Sequence, residues 1–255
     1  MEVIILAAGY ATRLYPLTEN RAKPLLPVGS KYLIDHIMDR VAELEGLTRI
    51  HVVSNNRFYE DFRAWGAAHP EADKITVYND GTFENADRLG AIGDAEYVIR
   101  SAEIEDDLLI VAGDNLFDFS LAELQGFFRQ HGTTAVVHVF GDMELIKKYS
   151  TVKLADDRRV VSFIEKPANP DTNLIGICCY MFEQEDVKRV KEYLSDGNNP
   201  DAPGYFLQWL HQQVPVYGFQ FEGMWYDIGD LASLTDADRR LRKVAGMPDR
   251  EAYAL

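Results

Sequence analysis

The chain has 255 residues, 47% of them hydrophobic, and a formal net charge of -15 from 41 acidic and 26 basic side chains. That is enough chain to bury a full core, and its acidity argues against nucleic acid or an anionic membrane as partners of the bulk surface. No apolar run reaches the roughly 18 residues of a membrane span, and the N-terminal "MEVIILAAG" has no basic residues before its apolar stretch, so a secretory leader is not expected.

The first predicted strand is "EVIIL" (2–6). A helix over 31–44, a strand at 49–54, a helix over 57–68, a strand at 74–79 and a helix over 90–102 follow. Then come a strand at 107–113, a helix over 120–131 and a strand at 134–140. These strands are continuous in Val, Ile and Leu, the pattern of a sheet covered on both faces. Ser120 is placed to cap the helix it opens, and Gly132 to stop it. Strand–helix alternation implies βαβ units and parallel pairing.

After about residue 141 the pattern changes. "TVKLADDRRVVSFIEKP" (151–167) predicts two strands around an Asp-Asp turn, and "LIGICCYMF" (174–182) another strand. A helix over 183–194, a loop at 195–204, a pair of strands within 214–229 and a closing helix over 230–246 complete the chain. The expected class is α/β: a Rossmann-like mixed, mostly parallel sheet flanked by helices, with a smaller α+β portion, in a single domain. The only cysteines, Cys178 and Cys179, are adjacent and unsuited to a mutual disulfide or a zinc site. They read as small core residues, in keeping with a reducing, cytoplasmic compartment.

Residues 6–29, "LAAGYATRLYPLTENRAKPLLPVG", raise a question of charge. An acidic chain gathers Arg13, Arg21 and Lys23 just after its first strand, where α/β sheets bind ligands. Gly9 allows close backbone approach, and nearby N–H groups can meet phosphate oxygens. Arg13 can fork onto a phosphate and Lys23 can add a point charge. The stretch is neither G-x-G-x-x-G nor a Walker sequence. On residue types alone, an anion-binding loop and a solvated loop with incidental cations both stand.

This stretch resembles the signature of the sugar-1-phosphate nucleotidyltransferases (nucleotide-sugar pyrophosphorylases), roughly L-A-A-G-x-G-T-R-L-x-P-L-T, a short gap, then P-K-x-L-x-P-V. In the family's order, "VAGDNLFD" (111–118) resembles its strand ending in a metal-binding Asp, "FIEKP" (163–167) its E-K-P, and "WYDIGD" (225–230) its W-x-D-x-G. The resemblance runs to about residue 240 and is strongest to the thymidylyl- and uridylyl-transferring members. It implies the nucleotide-diphospho-sugar transferase fold, with residues 1–140 binding nucleotide and 141–255 the acceptor.

The implied reaction joins a nucleoside triphosphate (NTP) to a sugar 1-phosphate and releases pyrophosphate. The attacking group is already a phosphate oxyanion, so catalysis reduces to positioning two anions and neutralising charge. No general-base constellation is needed, and the six histidines are scattered. By resemblance, Arg13, Lys23 and Lys166 are catalytic, and Asp114 and Asp227 hold Mg²⁺, which suits hard carboxylate oxygens. Leu6, Ala8, Gly9, Ala11 and Thr12, with Asn85, Arg88 and Gly90, fall on the nucleotide side. Ser150, Glu165, Lys166, Gly176 and Asp201 fall on the acceptor side, with Tyr205 a further candidate contact. Asp230 is better placed than Asp227 to cap the last helix.

The chain departs from the family in four places. Ala11 replaces a loop glycine. Asn85 and Arg88 stand where thymidylyl-type members have Gln and Pro, with Gly90 retained, which leans toward a pyrimidine. Ser150 replaces a glycine, and "NNPDAPGYFLQWL" replaces an acidic segment, which suggests an acceptor unlike plain glucose 1-phosphate. Long C-terminal modules are not present before residue 255, so a catalytic domain acting as a monomer or small homo-oligomer is expected. Three other readings compete: a cytidylyltransferase acting on a non-sugar phosphate (phosphocholine, a polyol phosphate or a phosphonate), a catalytically silent nucleotide-sugar binder, and a glycosyltransferase. The silent binder predicts loss of Lys23, Asp114 or Asp227, and all three are present; a glycosyltransferase wants a D-x-D motif that is absent or misplaced here.

Overall fold

A computed structural model describes residues 1–250 and Tyr253. In chain order its strands are β1 (Glu2–Leu6), β2 (Pro27–Val28), β3 (Lys31–Tyr32), β4 (Arg49–Ser54), β5 (Ile75–Asn79), β6 (Leu108–Ala112), β7 (Asn115–Phe117), β8 (Thr134–Val139), β9 (Ser150–Leu154), β10 (Val160–Glu165), β11 (Leu174–Phe182), β12 (Tyr217–Phe221) and β13 (Trp225–Asp227). The helices are α1 (Leu33–Val41), α2 (Tyr59–Ala68), α3 (Ala91–Ser101), α4 (Leu121–His131), α5 (Met143–Ile146), α6 (Gln184–Val187), α7 (Arg189–Ser195), α8 (Pro203–Leu210) and α9 (Leu231–Val244).

Nine strands form one mixed sheet. β5, β4, β1 and β6 lie side by side in parallel, as the alternation of the first half requires. β11 then joins β6 antiparallel and organises the remainder. β8 runs along one edge of β11, while β6 and β9 share the other edge end to end, β6 beside Cys179–Phe182 and β9 beside Ile175–Gly176. β10 pairs with β9, and β12 pairs in parallel with β8. Strands from both halves of the chain therefore share one sheet.

Both faces of the sheet are covered. On one face Ile34, Ile37 and Val41 of α1, Phe62 and Trp65 of α2, and Leu121, Leu124 and Phe128 of α4 pack against alternate residues of the strands. On the other, Ile92, Ala95 and Val98 of α3 join Tyr193 of α7 and Phe206, Leu207 and Leu210 of α8. This is why Val3, Ile4 and Ile5 are all fully buried and why β1 reads as an unbroken apolar run. A third cluster (Leu14, Leu26, Val28, Leu33, Leu116, Met224, Ile228 and Leu234, among others) pins the opening loop to β13 and α9.

Caps form as the sequence predicts. The Ser120 hydroxyl accepts from the Glu123 N–H, Gly132 follows α4 at φ 91°, and the Asp230 carboxylate accepts from the Ser233 N–H at 2.9 Å to start α9. Four expectations are corrected. The two strands within 214–229 do not pair with each other: the chain swings at Gly223 (φ 144°), so β12 pairs with β8 and β13 with β7. The helix over 183–194 is two short helices meeting at Lys188. Helix α8 emerges where "APGYFLQWL" follows the loop, because Pro203 at the first helical position starts the helix rather than ending a turn. Cys179 is a core residue, but Cys178 is only partly buried and lies at a cavity wall.

Phe206 is fully buried, and α8 packs against β10 and β11 below the acceptor-side residues. Phe206→Ala is expected to cost about 3–5 kcal/mol, read as a lower urea midpoint at unchanged slope.

Candidate active site

The opening loop leaves the sheet at its centre. The Ala7 N–H donates to the Val53 carbonyl and the Gly113 N–H to the Leu6 carbonyl, each at 2.9 Å, so the ends of β1, β4 and β6 are locked together. The Asn55 amide donates to the Ala8 carbonyl at 2.8 Å. Ala11, in place of the family glycine, takes the left-handed conformation (φ 48°, ψ 41°) and opens the 3-10 turn Thr12–Leu14. Its carbonyl accepts from the Leu14 N–H at 2.9 Å and the Thr18 hydroxyl at 2.8 Å. Those bonds hold a conformation that disfavours a methyl-bearing residue by about 1–2 kcal/mol. No protein atom lies within 4 Å of where a Gly9 Cβ would sit, so packing within the chain does not require glycine there.

Two cavities meet at the end of β6. The larger, about 470 Å³, is lined by Leu6, Ala8, Gly9, Ala11, Thr12, Asn85, Arg88 and Gly90, together with Arg13, Lys23 and Asp114. The smaller, about 130 Å³, is lined by Ser150, Glu165 and Gly176 with Asp114 and Asp227. Asp114, Ala112, Cys178 and Pro203 belong to both. Two expected residues lie elsewhere. Asp201 lines the larger cavity, not the smaller. Lys166 lines neither: it is 51% exposed, with Nζ 3.4 Å from Glu165 Oε1 and φ 46°. Tyr205 packs on the sheet core beside α8.

The charged groups converge where the cavities join. Lys23 Nζ sits 2.6 Å from Asp114 Oδ2. Asp227 is delivered by the β13–β7 pairing, opposite Asn115, and the Ile228 N–H donates to the Asp114 carbonyl at 3.1 Å. Burial, then the neighbouring Asp114 charge, push the Asp227 carboxyl up to about 6, with Lys23 and Arg13 pulling the other way. Asn115 ties the floor together: its amide donates to the Cys178 carbonyl at 3.0 Å and its oxygen accepts from the Trp225 indole at 3.2 Å. That bond falls between the β9 and β6 pairings along β11. A Cβ on Gly113 would come within 2.9 Å of the Leu6 carbonyl and 3.1 Å of Pro24, so glycine allows the Lys23–Pro24 turn to press against Asp114's strand.

On the acceptor side the Ser150 hydroxyl donates to Glu165, whose backbone N–H donates to Gln208 Oε1 at 2.9 Å. A Cβ on Gly204 would lie 1.9 Å from Glu165 Oε2, so only glycine lets the start of α8 close on this pair. Lys148, Tyr149 and Trp225 complete the wall. Burial and then Asp227 raise Tyr149 to about 12, so it stays neutral. On the opposite side Arg88 Nε donates to Asp201 Oδ1 at 3.0 Å and Nη1 to the Asn85 carbonyl at 2.9 Å. The loop before α8 closes over the start of α3: the Ala91 N–H donates to the Asp201 carbonyl (3.2 Å) and the Ile92 N–H to the Pro200 carbonyl (2.9 Å).

Comparison with known proteins places this geometry. The model of the family described as "Nucleotidyl transferase" matches residues 2–244. The chain belongs to the nucleotidyl transferase family. It is 26% identical over 243 residues to the bifunctional protein GlmU of Methanocaldococcus jannaschii, covering 94% of this chain and 54% of that protein. It is 29% identical over 261 residues to the glucose-1-phosphate adenylyltransferase of Thermotoga maritima, covering 93% and 60%. The chain thus spans little more than half the length of these relatives. Among solved structures, the fold matches a Bacillus anthracis protein assigned as a glucose-1-phosphate thymidylyltransferase, in complex with sucrose, with a TM-score of 0.81 at 21% identity over 95% of each chain. It also matches a UDP-glucose pyrophosphorylase complexed with UDP-glucose, with a TM-score of 0.78 at 17% identity over 95% of this chain and 98% of that one. No helix among the described residues is long and apolar enough to cross a membrane.

Asp227 gives a stability test. Its folded value of about 6 exceeds the ordinary carboxylate value of 3.8, so the wild-type chain loses stability as pH rises from about 4 to about 6 and does not regain it above. Asp227→Asn should therefore raise the melting temperature at pH 8 in metal-free buffer by more than about 2 °C. The gain should vanish below about pH 4, as checked by calorimetry across pH.

Proposed function

We propose that the chain is a Mg²⁺-dependent nucleotidyltransferase that joins an NTP, with a pyrimidine favoured, to a sugar 1-phosphate, giving an NDP-sugar and pyrophosphate. The observation that carries this reading is the cluster of Arg13, Lys23, Asp114 and Asp227 at the junction of a larger and a smaller cavity. The triphosphate occupies the larger one, with its base toward Asn85, Arg88 and Gly90, and the acceptor phosphate reaches across from the smaller.

An oxygen of the acceptor phosphate attacks the α-phosphorus, and the bond to the β-phosphate oxygen breaks. The attacking oxygen carries no proton to remove, so the chain's task is alignment and charge neutralisation. Arg13 steadies the β- and γ-phosphates and takes up charge on the departing pyrophosphate. Lys23, now bonded to Asp114, turns to the α-phosphate and the leaving oxygen. Lys166, half exposed, closes on the acceptor phosphate together with Lys148, and Ser150 and Glu165 orient the acceptor's hydroxyl groups.

The donor set suits Mg²⁺. Asp114 and Asp227 are hard carboxylates placed so close that one is driven toward protonation, a repulsion a divalent cation relieves. No group of three His, Cys, Asp or Glu among the described residues could hold a metal unaided, which fits an ion completed by phosphate oxygens and water. When bound, it supplies charge neutralisation and a fixed orientation for the phosphates.

The small volume of the acceptor cavity, about 130 Å³, favours a second reading with a smaller phosphorylated alcohol and CTP as substrates. Cytoplasmic location and a monomer or small homo-oligomer complete the proposal.

The test is pyrophosphate release with Mg²⁺, crossing five NTPs with sugar 1-phosphates, phosphocholine and polyol phosphates. Release with one NTP and one sugar 1-phosphate, reduced about 10²–10³-fold in Lys23→Ala, is expected. Release only with a non-sugar phosphate selects the second reading. No release with any pair contradicts both.

A further inference from the structure

The larger cavity holds a second pair of carboxyls, away from Asp114 and Asp227. Asp94 sits one turn into α3 after Gly90, lines this cavity and is only 7% exposed. Asp80 follows directly on β5 and accepts from the Thr82 N–H at 2.7 Å and the Thr82 hydroxyl at 2.8 Å. The same hydroxyl meets the Tyr10 phenol at 3.2 Å, and Tyr10 lines the cavity from the opening loop. The Asp80 and Asp94 carboxyls hydrogen-bond to each other, an arrangement that requires one proton between them. Asp94 Oδ1 is left with no partner. Only it and His138 Nδ1 are buried, unpartnered side-chain polar atoms among the described residues. Such an atom costs about 1–3 kcal/mol, and folded chains rarely leave one without a use.

We infer that Asp94 is a nucleobase-recognition residue, its Oδ1 accepting an N–H from the base of the bound nucleotide. The inference rests on the nucleotide reading above. A phosphate offers this oxygen no donor, and the cations Arg13 and Lys23 gather with Asp114. Asp94 instead follows the segment carrying Asn85, Arg88 and Gly90. The pyrimidines carry a suitable N–H: the 4-amino group of cytosine, or N3–H of uracil and thymine. Burial and Asp80 raise Asp94 to about 8, so at neutral pH the pair keeps its proton and adds less negative charge beside the triphosphate than two carboxylates would. The other charged groups facing the pair do not supply a counter-cation. Asp87 accepts from the Phe83 and Glu84 N–H groups, Arg88 and Asp201 pair with each other, and Arg57 acts on Tyr10.

The test measures dissociation constants of CTP, UTP and dTTP alongside two base-free probes, inorganic triphosphate and ribose 5-triphosphate. Asp94→Ala should weaken the preferred NTP about tenfold or more and leave both probes within about twofold. Asp94→Asn, whose amide can donate to Asp80 and still accept from the base, should keep NTP affinity within about threefold. Wild-type affinity for the NTP should fall above about pH 8, where the shared proton leaves, and the Asn variant should not follow it. An Asp94→Ala protein that binds the NTP like wild type overturns the inference, as does parallel loss of NTP and probes. Wild-type protein that binds inorganic triphosphate but no NTP overturns the nucleotide reading and this inference together.

Discussion

The site is organised around a repulsion. Asp114 and Asp227 are held close enough, and deep enough, that one of them titrates near 6, and the nearest compensation is the Lys23 ammonium 2.6 Å from Asp114. A folded chain does not ordinarily bring two buried carboxylates together without a cation to offset them. Everything nearby serves to hold that arrangement. β7 and β13 pair so that Asp227 falls opposite Asn115, Gly113 lets the Lys23–Pro24 turn approach β6, and the third apolar cluster clamps both to α9. On the proposed reading, the missing compensation is the divalent cation, and the triphosphate it carries draws Lys23 away from Asp114.

The same placement explains why the site lies where it does. β11 pairs with β9 and β6 end to end along one edge, and the Asn115 amide bonds to Cys178 between those pairings. The two cavities open on either side of that point, so a nucleotide and an acceptor would approach one another over Asp114. The loop before α8 closes the larger cavity from the other side through Arg88–Asp201 and two backbone bonds to the start of α3. Residues from both halves of the chain thus form each wall, as expected where joining two substrates is the task.

Much of this was legible in the sequence because the relevant residues sit in contiguous motifs at strand ends. Arg13 and Lys23 follow β1, Asp114 follows β6, and Asp227 ends β13, so naming the motif also places the charge. The nucleotide-side residues from Leu6 to Thr12 and from Asn85 to Gly90 come together for the same reason. What was not legible depends on pairing and packing. Two apolar runs within 214–229 say nothing about their partners, and β12 and β13 separate. "APG" reads as a turn, yet Pro203 starts α8 and carries Asp201 to the larger cavity. Lys148, Tyr149, Tyr10 and Asp94 are single polar residues in ordinary helix and loop contexts. Only the fold aims them at a cavity, and only the Lys-Lys-Tyr step before Ser150 offered a local hint.

The most direct test is a crystal structure with Mn²⁺ and a non-hydrolysable NTP, using anomalous scattering to locate the metal. The account predicts one strong anomalous peak bridging Asp114, Asp227 and the triphosphate, with Lys23 released from Asp114 and Arg13 on the outer phosphates. A triphosphate bound elsewhere, or a metal that leaves Asp114 and Asp227 untouched, would contradict it.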